Sequence, residues 1–380
     1  MSDTKSSTEE VVIVGAGAAG LATAGALAER GICALVLERG ERPGASWWHR
    51  YEGLRLNTVR WMSDLPGHRM ARDHGRWPSR EDWAAYLEDY TQQMQIRVRA
   101  GATVTGIDRR DDGGFLLTVD GEDLSARAVV VATGHDHTPV TPDWPGREQF
   151  TGRLMHAAEF KRATEFAERD VLVVGSGNSG VEIATLVAGA CARRTQISIR
   201  TPPLLLRREM LGVPITPLAL LGRRLPDRLI DVIGHAAQRL AFGDLTEYGL
   251  RRSHQRLSDM QYRYFSPPMD SGFVAALKSG RITIVPAVER FDGPDVVLSD
   301  GSRRAPEVVI AATGYSTGLG ELLGGLGVVR DNGEPSVSGA SDADGLYFAG
   351  FHFGLAALLP YLKRDARATA AAIAAIVPRR

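Results

Sequence analysis

Two glycine-rich turns with the spacing G-x-G-x-x-G are the residues of this 380-residue chain whose pattern points most directly to chemistry. Each turn follows a run of β-forming residues and precedes a stretch of small residues typical of a helix. In this context the first glycine permits a tight turn, the second lets the backbone approach a pyrophosphate, and the third lets helix and strand pack closely. The sequence therefore predicts two dinucleotide sites, built on Gly15, Gly17 and Gly20 and on Gly175, Gly177 and Gly180.

The residue that ends the second strand of each unit indicates which dinucleotide binds there. Glu38 follows the first turn and is expected to accept hydrogen bonds from the hydroxyls of an unphosphorylated ribose, as in FAD. Arg200 has the matching position after the second turn, and a guanidinium pairs with a 2′-phosphate that a carboxylate would repel. We therefore expect FAD at the first site and NADPH at the second. The alternative for Arg200 is an ordinary exposed charge at a strand end.

Composition and charge argue against several other classes of protein. The formal net charge is zero and 44% of the residues are hydrophobic, which predicts folded domains and no nucleic-acid partner. The first ten residues predict a short disordered tail and no signal peptide, and no apolar run is long enough for a membrane span. The cysteines Cys33 and Cys191 are far apart in sequence and expected to be buried, which excludes a redox-active dithiol and suits a cytoplasmic location.

The order of predicted elements gives an α/β fold with two Rossmann-like dinucleotide-binding domains. Residues 8–165 and 286–380 are assigned to a discontinuous FAD-binding domain, and residues 166–285 to an NADPH-binding domain inserted within it. Residues 202–264 are rich in Leu and Arg and predict a helical insert. This insert is interpreted as a substrate lid, a dimer surface or part of the core, and a homodimer is one expectation for the assembly.

The linker between the two domains carries the most specific motif. It reads FTGRLMHAAEFK, with Phe150, Gly152, His156, Phe160 and Lys161 in the spacing F-x-G-x-x-x-H-x-x-x-F-K. This pattern resembles the fingerprint of class B flavin-dependent monooxygenases, and its Phe-Lys ending is similar to the flavin-containing monooxygenase and YUCCA-like group. The ATG strand ends and the segments LLLRREM and FGDLTEYGL also look YUCCA-like, so the resemblance covers nearly the whole chain.

Two positions depart from the plant YUCCA pattern. Asn57 stands where those enzymes commonly have His, and in this it is similar to animal and bacterial flavin-containing monooxygenases. The turn after Gly350 reads FHFGLAALLP in place of the family's Arg- and Ser-rich version. These departures leave the substrate open and do not affect the expected type of reaction.

The resemblance implies that NADPH reduces the flavin, that O₂ adds at its C4a carbon, and that the resulting peroxyflavin oxygenates a small organic molecule. The substrate would be an amine, a sulfide or a 2-oxo acid, as in YUCCA-like oxidative decarboxylation. By resemblance Asn57 would lie beside the flavin, with Ser46 and Trp48 shaping that face. His352 would face the flavin edge, or be an ordinary core histidine. The alternatives are a Baeyer–Villiger ketone oxygenase and an NADPH oxidase or electron-transfer reductase.

Further residues at strand ends and helix starts are expected to touch the two cofactors. His156 either orients the linker or takes part in the chemistry. His135 and His137 have no third ligand near them, so no metal site is expected. The remaining cofactor-binding candidates are Ala18, Ala19, Arg39, Thr133, Gly134, Asn178, Ser179, Thr201, Thr313, Gly314 and Gly350.

Overall fold

The computed structural model describes residues 8–262, 264, 266–340, 345–356 and 358–377. The strands of three or more residues are β1 (Thr8–Val14), β2 (Leu35–Glu38), β3 (Arg97–Ala100), β4 (Val104–Arg109), β5 (Phe115–Val119), β6 (Glu122–Val131), β7 (Arg153–His156), β8 (Asp170–Val174), β9 (Arg194–Ser198), β10 (Ile282–Val285), β11 (Val288–Asp292), β12 (Asp295–Leu298), β13 (Val308–Ala311) and β14 (Leu346–Phe348). The α-helices are α1 (Ala18–Ala28), α2 (Ala45–Trp48), α3 (Arg80–Gln93), α4 (Asn178–Gly189), α5 (Ile215–Gly222), α6 (Asp227–Phe242), α7 (Phe273–Lys278), α8 (Leu319–Leu323) and α9 (Leu359–Ile373).

Shorter elements connect these strands and helices. Two-residue strands lie at Thr138–Pro139, Leu206–Arg207, Glu209–Met210, Val213–Pro214, Met269–Asp270, Arg303–Arg304, Tyr315–Ser316 and Gly339–Ala340. Single 3₁₀ turns lie at Arg60–Met62, Arg72–His74, Arg147–Gln149, Ala163–Phe166, Thr246–Tyr248, Leu257–Gln261 and Gly324–Leu326.

The chain divides into two compact units. The first runs to His49, resumes over Thr58–Thr138 and takes in the chain from Tyr315 onward. The second comprises Arg50–Asn57 and Pro139–Gly314.

The first unit is built on a sheet whose parallel strands have the order β14-β6-β1-β2-β3. The hairpin of β4 and β5 continues antiparallel from β6. Apolar residues of these strands form one core, to which Val129, Val131 and Phe348 contribute fully buried side chains. Helix α1 is buried along almost its whole length because its residues are small, and it packs against α9.

The second unit is built on a fully parallel sheet with the strand order β10-β9-β8-β13-β7. Val173, Ile197 and Ile310 bring its strands into one core with α4 and α7. The predicted helical insert contains α5 and α6, and α6 buries Ile230 and Gly234 while Leu229 and Val232 on its other side are exposed. Parallel strands in both sheets confirm the predicted α/β class.

The domain boundaries differ from those expected at residues 165 and 286. Residues 139–165 and 286–314 lie in the second compact unit. The physical reason is strand pairing: β7 pairs with β13, and β13 pairs with β8, so both segments complete the second sheet. The local sequences of these segments do not show with which distant strand they pair, and the pairing in the structure decides where they belong.

Two further expectations were wrong. Both Cys33 and Cys191 are exposed, because Cys33 precedes β2 and Cys191 lies in a tight turn with φ of +60°. The expected disordered tail includes Thr8, Glu9 and Glu10, which are part of β1, while residues 1–7 lie outside the described residues. Over the described ranges, no helix is both long and apolar enough to cross a membrane.

Candidate active site

The first glycine turn joins β1 to α1 and forms a cradle with an open front. Gly15 has φ of +106°, and a Cβ on it would lie 2.7 Å from the carbonyl oxygen of Ala132. A Cβ on Gly20 would lie 1.9 Å from the Gly15 oxygen, so both positions require glycine. At Gly17 no heavy atom of the described residues, apart from those of the adjoining chain, lies within 4 Å of that position, and no described side chain caps α1, which begins at Ala18. The free space and uncapped helix N-terminus suit a pyrophosphate.

Glu38 at the end of β2 is held against this turn. Its Oε2 accepts a hydrogen bond from the Ala16 N–H at 2.7 Å, and its Oε1 accepts one from the Gly40 N–H at 2.9 Å. A carboxylate has about four acceptor positions, so capacity remains for two ribose hydroxyls.

Arg39, the next residue, contacts a histidine of the same unit. Its guanidinium donates to His137 Nε2 at 3.1 Å, which requires that nitrogen to be unprotonated. Burial and the positive charge of Arg39 lower the pKa of His137, in agreement with a neutral ring. The hydrogen bond to the neutral His137 ring therefore holds the Arg39 side chain just beyond the end of β2.

Two further strand ends carry features that suit a bound cofactor. Just beyond β6, the buried Oγ1 of Thr133 has no hydrogen-bond partner among the described residues. Gly134 follows with φ of +77° and open space around it. Beyond β14, Gly350 has φ of +84°, and a Cβ on it would lie 2.6 Å from the Cβ of Ala19. The close approach requires glycine at this position and brings the end of β14 to the start of α1.

The side chains of Ser46 and Trp48 differ in how they are held. Trp48 Nε1 donates to Glu88 Oε1 on α3 at 2.8 Å, and the guanidinium carbon of Arg42 lies 5.7 Å from the Trp48 ring centroid. Ser46 is exposed in α2. Helix α3 therefore fixes the indole, and the expected contact of both residues with the flavin stays a prediction.

His352 lines a cavity of about 500 Å³ in the first unit, together with Ala19 and Gly350. Its Nδ1 lies 2.7 Å from Asp365 Oδ2, and its ring centroid lies 5.0 Å from that of Tyr361, both on α9. The structure thus brings His352 together with two cofactor-binding candidates, and α9 holds its ring.

The second glycine turn repeats the construction of the first. A Cβ on Gly175, which has φ of +125°, would lie 2.2 Å from the Ala312 oxygen, and one on Gly180 would lie 2.1 Å from the Gly175 oxygen. Gly177 again has open space in front of an uncapped helix. Its φ of −75° and ψ of −176° match the −77° and −176° of Gly17. Two equivalent phosphate cradles are therefore present, one in each unit.

The strand end expected to bind a 2′-phosphate lies just beyond β9. The Thr201 carbonyl accepts a hydrogen bond from Ser176 Oγ at 2.9 Å, and the Arg200 carbonyl accepts one from Arg251 Nη2 at 3.4 Å. The side chains of Arg200, Thr201 and Arg251 are exposed. The Arg251 guanidinium therefore lies at the same strand end as Arg200, although sequence reasoning found only Arg200 because Arg251 is 51 residues away.

The residues that follow β13 form hydrogen bonds with other parts of the second unit. Thr313 Oγ1 donates to the Val140 carbonyl at 2.5 Å. His156 Nε2 donates to the Gly314 carbonyl at 3.1 Å, while His156 Nδ1 accepts from the Ala158 N–H at 3.1 Å. Burial lowers the pKa of His156, so the neutral ring is favoured. Both ring nitrogens of the fingerprint histidine are therefore hydrogen-bonded to backbone groups of the second unit.

Asn57 belongs to the second unit, where it meets the start of α4. Its Nδ2 donates to Asn178 Oδ1 at 3.2 Å, and its Oδ1 accepts from Arg208 Nε at 2.9 Å. Asn178 is the first residue of α4 and is followed by the half-buried Ser179. The structure therefore brings a residue expected beside the flavin to the helix expected to bind NADPH.

A buried ion pair lies behind this contact. Arg208 Nη2 lies 3.6 Å from Glu182 Oε1, and Tyr51 donates to Glu182 Oε2 at 2.7 Å. Burial raises the pKa of Glu182 and lowers that of Arg208, and their mutual attraction opposes both shifts. Sequence analysis noted Arg208 only as part of the LLLRREM segment and did not single out Tyr51 or Glu182, since residues this far apart carry no local signal.

The fingerprint segment anchors the chain that carries Asn57. The Glu52 N–H donates to the Lys161 carbonyl at 2.9 Å, and the Tyr51 and Phe160 rings pack edge to face at 5.6 Å. A Cβ on Gly152 would lie 2.5 Å from the Phe150 ring, which explains the glycine of the motif. Through these contacts with Tyr51 and Glu52, the motif holds the segment Arg50–Asn57 in the second unit.

Comparison with known proteins agrees with this architecture. Residues 12–213 match the family model described as pyridine nucleotide-disulphide oxidoreductase. The chain is 35% identical over 355 residues to indole-3-pyruvate monooxygenase YUCCA1 of Oryza sativa subsp. japonica, with 90% of this chain and 86% of the relative covered. It is 32% identical over 349 residues to a probable indole-3-pyruvate monooxygenase YUCCA1 of Arabidopsis thaliana, covering 90% and 84%.

Solved structures have the same fold. A flavin-containing monooxygenase from Stenotrophomonas maltophilia superposes with a TM-score of 0.73 at 23% identity, covering 97% of this chain and 98% of that one. Cyclohexanone monooxygenase from Rhodococcus sp. Phi1 bound to NADP⁺ superposes with a TM-score of 0.74 at 17% identity, covering 97% and 84%.

The two phosphate cradles and the matched family define a flavoprotein oxidoreductase that uses a pyridine nucleotide. Within that class, the chain belongs to the class B flavin-dependent monooxygenases, in the YUCCA-like group. It is an FAD-dependent NADPH monooxygenase that oxygenates a small substrate with O₂. The orphaned hydroxyl of Thr133 and the open positions at Gly17 and Gly177 fit these two cofactors.

Proposed function

We propose that this enzyme oxidatively decarboxylates a 2-oxo acid with an aromatic side chain, and that Asn57 donates a hydrogen bond to the reacting oxygen. In this reaction the 2-oxo acid, O₂, NADPH and a proton yield the carboxylic acid one carbon shorter, CO₂, NADP⁺ and water. The substrate class is supported by the names of the relatives, which are indole-3-pyruvate monooxygenases at 35% and 32% identity.

The observation that carries the proposal is the hydrogen bond between Asn57 and Asn178, the first residue of α4. The Asn57 amide contacts Asn178 at 3.2 Å, next to the open cradle at Gly177. A preorganised amide donor beside the coenzyme helix can stabilise negative charge that develops on an oxygen during the reaction. FAD, once reduced by NADPH, supplies the activation of O₂.

The geometry of each unit supports the proposed assignment of the cofactors to residues. In the first unit, Gly15, Gly17 and Gly20 would hold the FAD pyrophosphate, Glu38 would accept from the ribose, and the Thr133 hydroxyl would find its partner on the cofactor.

NADPH is assigned to the second unit. Gly175, Gly177 and Gly180 would hold its pyrophosphate, and the guanidinium groups of Arg200 and Arg251 would bind the 2′-phosphate. The support for Arg251 is its hydrogen bond to the Arg200 carbonyl, which brings its charge to the same strand end.

Oxygenation of an amine or sulfide is the second candidate, and it is favoured by the residue type at position 57, Asn in place of His. Asn at this position resembles the flavin-containing monooxygenases that act on heteroatoms, whereas the plant YUCCA enzymes commonly have His. The two candidates share the same cofactors and differ in the substrate that binds beside Asn57.

Substrate-dependent product analysis tests the proposal. The FAD-loaded enzyme is mixed with NADPH and O₂ and with indole-3-pyruvate, phenylpyruvate, an alkyl amine or a methyl sulfide. We expect one CO₂ and one shortened acid for each NADPH consumed with a 2-oxo acid. Oxygenated amine or sulfide without decarboxylation would favour the second candidate. Hydrogen peroxide as the sole product with every substrate would contradict the monooxygenase assignment for these compounds.

A cytoplasmic location and a homodimer are also proposals. The exposed thiols of Cys33 and Cys191 are compatible with a reducing compartment. The exposed Leu229, Val232 and Ile233 on α6 support self-association of the second unit. Light scattering of the purified protein tests the assembly state.

A further inference from the structure

The amide of Asn57 is oriented by groups that hydrogen-bond in one sense only. A guanidinium has no acceptor, so the atom that faces Arg208 Nε at 2.9 Å is the Asn57 oxygen. Asn178 is fixed in the same way, since its Oδ1 accepts from the Met269 N–H and its Nδ2 donates to the Ser266 carbonyl, both at 3.2 Å. Asn57 Nδ2 then donates to Asn178 Oδ1. The two amides have a single consistent orientation.

This orientation leaves a specific donor for a ligand. Asn57 Nδ2 carries two hydrogens, and the bond to Asn178 uses one of them. Among the residues that the structure describes, the second hydrogen has no acceptor, so it can bind a ligand oxygen atom if the amide does not rotate. A rotated amide would present its carbonyl oxygen to the ligand and would repel a developing negative charge.

Arg208 is itself held in place by buried groups. Its side chain is 16% exposed and that of Glu182 is 14% exposed. Glu182 bridges Arg208 and the Tyr51 hydroxyl, whose ring packs on Phe160 of the linker motif. Burial raises the pKa of Glu182, and the Tyr51 hydroxyl and Arg208 oppose that shift. The guanidinium therefore has little freedom to leave Asn57.

We propose that Arg208 is a positioning residue, which holds the Asn57 amide so that its NH₂ group, and not its oxygen, faces the reacting oxygen. The proposal rests on the proposed role of Asn57 and adds the residue that makes that role possible. Arg208 acts through Asn57 and does not touch the substrate. Its loss should therefore reproduce the defect caused by the loss of Asn57.

The orientation can be measured without activity, because the chain contains only three asparagines, Asn57, Asn178 and Asn332. Protein labelled with ¹⁵N-asparagine gives one side-chain NH₂ signal pair for each of them, and the exposed Asn332 is an internal reference. In Arg208→Met we expect the Asn57 pair to move toward the position of the Asn332 pair. Arg207→Met is the matched control, since the Arg207 side chain is exposed and donates to the Ala241 carbonyl.

The second measurement is coupling, the fraction of consumed NADPH recovered as oxygenated product. We expect a several-fold rise in hydrogen peroxide in Arg208→Met, with FAD content and the KM for NADPH unchanged. Asn57→Ala should give a rise of the same size. The double variant Asn57→Ala/Arg208→Met should produce no more hydrogen peroxide than either single variant, because both changes remove the same hydrogen bond to the reacting oxygen. Arg208→Lys, which keeps a charged donor, should recover part of the coupling.

Removal of Arg208 alone leaves Glu182 buried without its partner, which endangers folding. The double variant Arg208→Met/Glu182→Gln removes both charges and is measured in parallel. An unmoved Asn57 signal in the folded variants, or losses from Asn57→Ala and Arg208→Met that multiply, would overturn the positioning role. A wild-type enzyme without oxygenated product would contradict the proposed function instead, while the Asn57 signal would still decide whether Arg208 orients the amide.

Discussion

The carboxylate of Glu38 accepts a hydrogen bond from the backbone N–H of Ala16 at 2.7 Å. This bond joins the end of β2 to the glycine turn that follows β1, so the two parts of the expected FAD site are tied together within the protein itself. A residue identified for its contact with a ribose therefore also shapes the cradle for the pyrophosphate.

Replacement of Glu38 should weaken FAD binding more than one lost contact suggests. In Glu38→Ala the ribose loses its acceptor and the Ala16 N–H loses its partner. Hydrogen bonds to charged groups contribute about 1.5–3 kcal/mol each, so the loss of one alone lowers affinity by roughly 10- to 150-fold, and FAD affinity in Glu38→Ala should fall by more than that. Fluorescence titration of the apoprotein with FAD measures the change. Glu41→Ala, at an exposed residue, is the control, and equal affinities in the two variants would contradict the assignment.

Substitution of Gly17 and of Gly177 should affect the binding of different cofactors. Gly17→Ala and Gly177→Ala have ordinary φ values and no heavy atom near the added Cβ, so neither should change the melting temperature of the apoprotein. Each Cβ occupies the space expected for a phosphate. Gly17→Ala should lower FAD affinity by about tenfold or more, a cost of ~1.4 kcal/mol. Gly177→Ala should keep FAD and lose NADPH affinity to a similar extent. The reverse pattern would show that the sites are exchanged.

Coenzyme preference should depend on two arginines. Arg200→Ala and Arg251→Ala should each raise the KM for NADPH by roughly 10- to 150-fold, since each removes a charged hydrogen bond to the 2′-phosphate. The KM for NADH should change little, because NADH lacks that phosphate. Arg194→Ala, at a neighbouring exposed arginine paired with Asp170, is the control. Equal losses for both coenzymes would place these guanidinium groups away from the phosphate.

Asn57→Ala should uncouple the enzyme. FAD content and the rate of flavin reduction should be retained, because the glycine cradles are untouched. Loss of one preorganised donor costs about 2.7–4 kcal/mol of stabilisation, so product should fall while NADPH consumption continues and hydrogen peroxide rises. NADPH, peroxide and product are quantified in the same reaction. Asn332→Ala is the control, and unchanged coupling in Asn57→Ala would separate this residue from the chemistry.

Stability should fall with acidification in part through His156. Burial lowers the pKa of this residue in the folded protein, whereas the unfolded value is about 6.5. The unfolded state therefore binds more protons below about pH 6.5, and the free energy of unfolding decreases as the pH falls through the folded pKa.

One proton accounts for at most about 1.4 kcal/mol per pH unit. Urea denaturation between about pH 5 and pH 8 should show a shallower pH dependence in His156→Gln than in the wild type. His49→Gln, at an exposed histidine, should keep the wild-type slope. Parallel curves for His156→Gln and the wild type would rule out this contribution.

Local sequence patterns predicted the nucleotide-binding turns because their causes are local. A Cβ on Gly20 would meet the Gly15 oxygen and one on Gly180 would meet the Gly175 oxygen, so the spacing within each motif is required by contacts inside the motif itself. The partners of Asn57 could not be predicted, since Asn178 and Arg208 are 121 and 151 residues away. Burial of Cys33 and Cys191 was predicted from residue type, which says nothing of the turns in which they lie. Sheet membership of β7 and β13 depends on which distant strands they pair with, which their own short sequences do not show.

The placement of Arg50–Asn57 in the second unit limits how this enzyme can be recombined with its relatives. A chimera that exchanges only residues 139–314 would bring in a foreign Asn178 and Arg208 and retain the recipient's Asn57. The donor and the two groups that orient it would then come from different parents. Transfer of the donor together with both groups that orient it therefore requires the exchange of residues 50–57 as well as residues 139–314.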